Sequence, residues 1–282
     1  MSVEQQQQSN TKLVVATRLH LGNASKDPPS QAKTDQTIAN FAKFITTSCP
    51  PSTLALIAVD ATPKIDGYDY VQAVQQACDK LDDHHKPTVL PVTPWGRFVP
   101  ALNALVGHAA SLQYDYILFC SAETTASKAA IDTLYRHIMD DQDTLVAGAL
   151  LGGHDYQKDK TVVELNGRTT PWNTLALWRV SKLALTGFQM VSEGYLTTNN
   201  DEPSYGVEEV IAIALLQRLL GHDHAKAKLV QLPGDVDWNQ DFGQDEERRK
   251  WHEDKMKSKL ERPARQLQLF GSTSLSGTVY HL

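Results

Sequence analysis

The chain has 282 residues, enough for one large α/β domain or two small ones. Hydrophobic residues make up 41% and charged residues 21%, which is ordinary for a globular protein. The formal net charge is −6, so the sequence lacks the basic surplus that is typical of nucleic-acid-binding proteins.

Cysteine use and the N-terminal residues indicate the compartment. Cys49, Cys78 and Cys120 are far apart and odd in number, which favours reduced thiols over a disulfide framework or a zinc site. Residues 1–11 are polar and lack the apolar core of a signal peptide, and no apolar run approaches the length of a membrane span. We therefore expect a soluble, cytoplasmic protein with no transmembrane segment and a disordered tail over residues 1–11.

Strands and helices alternate along the first part of the chain. Short apolar or β-branched runs predict strands, and apolar residues at helical spacing predict helices. The predicted strands cover 12–17, 54–59, 88–92 and 117–120, and the predicted helices cover 34–46, 68–81 and 98–112. This alternation implies an α/β fold with a mainly parallel sheet and helices on both faces.

The remaining elements are less regular. Predicted helices cover 127–139, 180–186 and 207–220, and predicted strands cover 144–149, 162–165, 174–179 and 229–232. Because no internal repeat or linker is evident, we expect one domain over residues 12–240, followed by a helical or extended segment over 241–282. Within that segment, residues 266–270 are candidates for docking on the domain or on a second copy in a homo-oligomer.

Polar residues follow the strand predicted at 117–120. This strand carries no charge, which suits burial on both faces, and it stops at Ser121-Ala122-Glu123. Ligands of open α/β sheets bind at the carboxyl edge of the strands, where a carboxylate can hold a divalent cation or a sugar hydroxyl. Alternatively, Glu123 opens the helix that starts near Ser127 and favours its dipole.

Four stretches occur in an order that a known family shares. They are the alternating first part with strand ends at Thr17 and Asp60, the run from Gly96-Arg97 to Ala101-Leu102-Asn103, the acidic turn Ser121-Ala122-Glu123, and Trp172-Asn173 followed by Gly187-Phe188 and Glu208-Glu209. Over residues 12–235 the chain resembles family-2-type glycosyltransferases of the GT-A fold. The resemblance implies a Rossmann-like three-layer sandwich. It also implies inverting transfer of a hexosyl-type sugar from a UDP or GDP donor to a hydroxyl acceptor.

The resemblance assigns roles to individual residues. The nucleotide sugar would contact Thr17, Arg18, Asp60, Arg97, Asn103, Ser121, Ala122 and Glu123. Trp172 and Asn173 would form the acceptor floor, since a flat aromatic ring suits the apolar face of a sugar. Glu209, with Glu208 beside it, would be the catalytic base that takes the proton of the acceptor hydroxyl.

Two positions depart from the family pattern. Ser121 replaces the first acid of the family's Asp-x-Asp motif, and Glu208-Glu209 stands where the family has Glu-Asp. We therefore expect Mn²⁺ or Mg²⁺ to bind weakly or mainly through the diphosphate, with Glu123 as a ligand and His252 as a further candidate. Arg97 and Arg18 would then share the neutralisation of the leaving diphosphate.

Structural alternatives and rival functions stay open. Glu208 and Glu209 could simply favour the start of a helix through its dipole. The structural alternatives for the other candidates are a solvated residue for Arg97, a strand-end turn for Asp60, a local cap for Asn103 and a core or rim aromatic for Trp172. One rival function is a GT-A-like binding protein that has lost catalysis, which the serine at position 121 favours. The other rival is a nucleotidyltransferase, which residues 18–30 disfavour because they contain a single glycine, Gly22.

Overall fold

The structure is a computed structural model that describes residues 11–21, 27–63, 65–194, 205–234, 236–238, 246–270 and 275–282. For residues 85, 238, 246–255 and 257 it describes only the backbone. Nearly all of the predicted tail, residues 1–10, therefore lies outside the described residues. None of the described helices is both long enough and apolar enough to cross a bilayer.

Secondary structure follows the predicted alternation. The strands are β1 Leu13–Leu19, β2 Leu54–Asp60, β3 Thr88–Val92, β4 Tyr116–Cys120, β5 Thr124–Ala126, β6 Thr144–Ala149, β7 Val162–Glu164, β8 Leu175–Arg179, β9 Lys226–Val230, β10 Val236–Trp238 and β11 Thr278–His281. The α-helices are α1 Gln31–Ser48, α2 Tyr70–Cys78, α3 Val99–Ser111, α4 Lys128–Met139, α5 Val180–Leu183, α6 Glu208–Leu220 and α7 Glu246–Leu269.

Nine of the described strands form one mixed sheet in the order β3-β2-β1-β4-β8-β6-β9-β11-β7. Most neighbours are parallel, but β8 runs antiparallel to β4 and β6, and β7 runs antiparallel to β11. Because β1 is parallel to both β2 and β4, the carboxyl ends of these strands meet at one edge of the sheet. The strands β5 and β10 form a separate antiparallel ribbon.

The alternating side chains of β1 explain the three layers. Successive strand residues point to opposite faces of a sheet. Val14 and Ala16 pack in a cluster with residues of α3 and α6, whereas Leu13 and Val15 pack in a second cluster with residues of α1, α2 and α4. Burial on both faces accounts for the continuous apolar run in the sequence. The predicted Rossmann-like three-layer sandwich is therefore confirmed.

The C-terminal part differs most from the prediction. The last strand predicted at 229–232 is β9, which begins three residues earlier and ends two residues earlier, at Lys226–Val230. Beyond it, β11 adds a further parallel strand beside β9, so the segment 241–282 contributes to the main sheet as well as forming α7. Gln266 in α7 is buried and donates a hydrogen bond to the backbone oxygen of Gly206, which places this helix on its own domain.

Candidate functional site

A cavity of about 530 Å³ lies at the carboxyl edge of β1 and β4. Its walls come from the ends of these strands and from the loop that precedes α3. Six of the predicted nucleotide-sugar residues line it: Thr17, Arg18, Arg97, Ser121, Ala122 and Glu123. The sequence therefore predicted most of one wall, because strand ends of a parallel sheet meet at one edge.

A smaller cavity of about 210 Å³ adjoins the first. The twin glutamates Glu208 and Glu209 at the start of α6 line it, together with Trp172. The residues that line both cavities are Arg18, Phe98, Ser121, Asn173 and Tyr205. The acidic turn after β4 and the twin glutamates therefore face adjoining spaces.

Asn173 lies at the junction of the two cavities and holds both glutamates. Its backbone N–H donates to Oε1 of Glu209 at 2.6 Å, and its side-chain Nδ2 donates to Oε1 of Glu208 at 3.3 Å. Its Oδ1 in turn accepts a hydrogen bond from Nε1 of Trp178 at 2.9 Å. These bonds fix the direction in which the two carboxylates point, so Asn173 positions them as well as lining the predicted acceptor side.

Glu209 is buried, with 4% of its surface exposed. Burial, with a smaller contribution from the neighbouring Glu208, raises the pKa of Glu209 to about 8. The Asn173 N–H and Lys259 act in the opposite direction but are outweighed. A helix N-terminus alone would lower the pKa of a carboxyl group, so desolvation decides the protonation of this residue.

The two predicted arginines both face the larger cavity. The Nη2 of Arg18 lies 3.9 Å from Oε1 of Glu208, and its guanidinium lies over the Phe98 ring at 5.7 Å. The guanidinium of Arg97 lies over the ring of Tyr205, 4.1 Å from its centroid. Both positions leave the positive charges at the cavity wall, where they can attract an anionic ligand.

Thr17 is a further polar group at this wall. Its side chain is buried, and its Oγ1 makes no hydrogen bond to any residue in the part of the chain that the structure describes. Buried hydroxyl groups almost always have a partner. Thr17 lines the larger cavity, so this unpartnered hydroxyl lies close to the cavity wall.

One predicted contact and one structural alternative need correction. Asn103 does not line either cavity; its Nδ2 and Oδ1 bond the backbone oxygen and nitrogen of Phe188 at 2.9 and 2.8 Å, so it holds the fold. Asp60 is buried and accepts from the Thr62 N–H, and it is also absent from both linings. Its predicted contact with the nucleotide base therefore stays a prediction. The second correction concerns the alternative that Glu123 opens α4, because β5 follows Glu123 and the first turn of α4 has no acidic residue.

Trp172 lines the smaller cavity but cannot offer it a free ring face. The ring of His154 stacks on it at 3.6 Å between centroids, and the Nζ of Lys259 lies 2.9 Å from its centroid. Two groups so close to one centroid must lie on opposite faces of the ring. These contacts occupy both faces of the ring, which supports Lys259 at the cavity wall, so the acceptor role of Trp172 stays a prediction.

The residues at the acidic turn do not form a metal cage. The larger cavity offers the carboxylate of Glu123 and the hydroxyl of Ser121, whereas Mn²⁺ and Mg²⁺ favour several oxygen ligands. Within the described residues, no three His, Cys, Asp or Glu side chains converge as a metal site requires. The side chain of His252, the other candidate ligand, lies outside the described residues.

Sequence reasoning missed the contribution of α7. Lys259 and Arg262 of this helix line the smaller cavity and are each 8% exposed. The helix is strongly charged, and that composition alone is typical of a solvated surface helix. Only the approach of α7 to the start of α6 turns these two cations inward, and no local pattern reveals that approach.

Glu193 is a second residue that the sequence did not reveal. No side chain of the preceding loop caps the first turn of α3. Instead the buried carboxylate of Glu193 accepts from the backbone N–H of Phe98 at 2.9 Å, of Val99 at 2.5 Å and of Arg97. A carboxylate at a helix N-terminus satisfies unpaired amides and interacts favourably with the dipole. It therefore fixes the loop that carries Arg97.

We expect Glu193→Gln to destabilise the protein by about 3 kcal/mol, because charged hydrogen bonds to three amides are weakened and an NH₂ group now faces N–H donors. Urea unfolding measures this change. The matched control is Glu261→Gln, since Glu261 is exposed on α7 and pairs with Arg265 one turn along the helix; its effect should stay below about 0.5 kcal/mol. Equal unfolding midpoints for both variants would contradict the capping role.

Gly167 allows α7 to approach the site. A Cβ at this position would lie 2.0 Å from the backbone oxygen of Lys259. We therefore expect Gly167→Ala to displace α7 and to cost about 1–3 kcal/mol of stability. Gly107→Ala is the control, because a Cβ there meets nothing within 4 Å; in a helix interior it should stabilise by about 0.5–1 kcal/mol. Thermal unfolding of the two variants compares them, and a Gly167→Ala protein as stable as wild type would contradict this packing.

Comparison with known proteins identifies the fold. No protein-family model matches the sequence, and no curated protein matches it. Among solved structures, the mannosyltransferase PcManGT from Pyrobaculum calidifontis, in complex with GDP-Man and Mn²⁺, is similar at 12% identity and a TM-score of 0.52, over 75% of this chain and 53% of that chain. TarS 1–349 of S. aureus, in complex with UDP, is similar at 13% identity and a TM-score of 0.44, over 73% of this chain and 55% of that chain.

These values show a shared fold only. The likeness to PcManGT confirms the GT-A-type fold predicted from the sequence. The TM-score of the TarS comparison is too low to support an argument. This chain spans about half the length of either solved protein.

Proposed function

We propose that this protein is a glycosyltransferase that moves a hexosyl group from a UDP or GDP sugar to a hydroxyl acceptor with inversion. One observation carries the proposal. Glu123 after β4 and Glu209 at the start of α6 line adjoining cavities at the carboxyl edge of the sheet, and Arg18 lines both. A donor in the larger cavity would thus meet an acceptor in the smaller one.

The donor side supplies positive charge for the leaving group. When the bond between the anomeric carbon and the diphosphate breaks, negative charge develops on the phosphate oxygen, and fixed cations nearby stabilise it. Arg18 and Arg97 line the cavity in which the diphosphate would lie. PcManGT was captured with GDP-Man and Mn²⁺, but the donor atoms described here do not fit a cation held by the protein alone. We therefore assign charge neutralisation to the arginines.

The acceptor side supplies the base. The acceptor oxygen forms a bond to the anomeric carbon as the diphosphate departs, and its proton moves to the carboxylate of Glu209. A base must be deprotonated to act, and burial raises the pKa of Glu209 to about 8. The rate should therefore rise with pH up to about 8. Asn173 keeps the carboxylate in place through its backbone N–H.

A non-catalytic binding protein is the second candidate. The observation that favours it is the serine at position 121, which leaves a single carboxylate at the acidic turn. Such a protein would bind a nucleotide without transferring a sugar. The nucleotidyltransferase alternative gains no support from the site. The cytoplasmic location and the homo-oligomer stay predictions from the sequence.

Calorimetric titration with UDP, GDP and their sugars, with and without Mn²⁺, tests the proposal. We expect one nucleoside diphosphate to bind, Mn²⁺ to change its affinity by less than about tenfold, and Arg97→Gln to weaken it by about tenfold, equivalent to about 1.4 kcal/mol. If neither nucleotide binds, both the transferase and the binding protein are wrong. If a nucleotide binds but its sugar is never released or transferred at any pH, the binding protein is the better account.

A further inference from the structure

The smaller cavity has an excess of positive charge. Its wall carries three cations, Arg18, Lys259 and Arg262, and two carboxylates, Glu208 and Glu209. Burying a cation costs free energy unless an opposite charge or hydrogen bonds compensate it. Among the residues that line this cavity, the cations outnumber the carboxylates by one.

Arg262 is the cation that the protein compensates least. It is 8% exposed, and its Nη1 donates to the backbone oxygen of Tyr205 at 3.1 Å while its Nη2 donates to the Ser258 hydroxyl. Its buried Nε has no hydrogen-bond partner, and no carboxylate forms an ion pair with it, within the ranges that the structure describes. Burial lowers the pKa of Arg262, but a guanidinium still stays charged at neutral pH.

This charge lies on the acceptor side of the site. Arg262 and Lys259 line only the smaller cavity, whereas Arg97 lines only the larger one. Both guanidinium groups lie near the ring of Tyr205, Arg97 at 4.1 Å and Arg262 at 5.6 Å from its centroid. Because Arg262 lines only the smaller cavity, an anion bound there would lie on the acceptor side, whereas a donor diphosphate at Arg97 would lie in the larger cavity.

Resting on the proposed function, we infer that the acceptor carries an anionic group, a phosphate or a carboxylate, next to its reactive hydroxyl, and that Arg262 binds this group with Lys259 beside it. A guanidinium presents parallel N–H donors that match the oxygens of phosphate or carboxylate. The anion would anchor the acceptor, and a hydroxyl on the next carbon atoms would then reach Glu209 in the same cavity.

Calorimetry with small hydroxyl compounds tests the inference. The probes are glycerol 3-phosphate, glycerate and neutral glycerol, each titrated into the full chain with and without saturating UDP or GDP. We expect at least one anionic probe to bind and glycerol not to bind. Saturating UDP or GDP should leave the affinity of the anionic probe unchanged. Arg262→Gln should weaken it by about tenfold, or about 1.4 kcal/mol. Arg265→Gln is the control, because Arg265 is an exposed residue on the same helix and should change nothing.

Several results would overturn the inference. One is that neither anionic probe binds at millimolar concentration, and another is that glycerol binds as well as they do. A third is that nucleotide displaces the anionic probe and that Arg97→Gln weakens binding of the probe as much as Arg262→Gln does. That result would place the anion at the donor site. If Arg262→Gln does not fold, Lys259→Gln replaces it in the test, because Lys259 would lie beside the same anion. That variant must weaken binding of the anionic probe by at least about threefold. Nucleotide binding is measured in the same titrations, so failure of the proposed function is seen separately.

Discussion

Glu209→Gln should lower the rate of sugar transfer by about 10³-fold while changing nucleoside diphosphate affinity by less than about twofold. General base catalysis contributes on this scale, and Glu209 lines the smaller cavity rather than the larger one. The wild-type kcat/KM should rise about tenfold per pH unit below a pKa of about 8 and then level off. The residual rate of the variant should not follow this profile. Initial rates measured between pH 6 and pH 9 would check both points.

The same variant has an expected effect on stability with a definite sign. Burial raises the pKa of Glu209 from 4.5 to about 8, so the folded state holds a proton that the unfolded state has lost between these values. Stability therefore falls as pH rises through this window, and glutamine, which cannot ionise, avoids the loss. At pH 9 the variant should be more stable than wild type by an amount on the order of a few kcal/mol.

Unchanged turnover in Glu209→Gln would show that another group is the base.

Arg18→Gln should lower the transfer rate by about 10²-fold and weaken nucleoside diphosphate binding by about tenfold. Removing one fixed donor from a developing anion typically costs this much, and Arg18 lines both cavities. Arg18→Lys should recover only part of the loss, because an ammonium lacks the paired N–H donors of guanidinium. Rates and calorimetric affinities of the two variants would be compared.

Stability must be followed in the same variants. Arg18 lies 3.9 Å from the buried Glu208, so its loss also removes a neighbouring positive charge. Arg265→Gln, a change of the same type at an exposed position, should affect neither rate nor affinity. A folded Arg18→Gln protein with wild-type turnover would exclude Arg18 from the stabilisation of the leaving group.

The central strands and their ends could be predicted from the sequence because their signals are local. β1 and β4 are buried on both faces and stand out as apolar runs, uncharged throughout β4 and up to Arg18 in β1. The end of each strand then places Arg18 and Glu123 at the sheet edge. By contrast, β5, β10 and β11 were not predicted; they have only three or four residues and, unlike the equally short β7, do not begin with a Val-Val run.

The parts of the site that the sequence did not reveal depend on distant contacts. The carboxylate of Glu193 reaches amides that lie 94 to 96 residues earlier in the chain. Arg262 reaches the backbone of Tyr205, which lies 57 residues earlier. Contacts of Asn103 and Trp172 were equally hidden in the sequence, since neighbouring groups use the polar atoms of Asn103 and the ring faces of Trp172.

A crystal structure of the protein with bound UDP or GDP tests the central claim most directly. The account predicts that the nucleotide lies in the cavity at the carboxyl edge of β1 and β4, with its diphosphate in hydrogen-bond contact with Arg18 and Arg97. Its terminal phosphate should point toward the cavity that Glu209 lines. A nucleotide bound elsewhere on the molecule, or a diphosphate that touches neither arginine, would contradict the account.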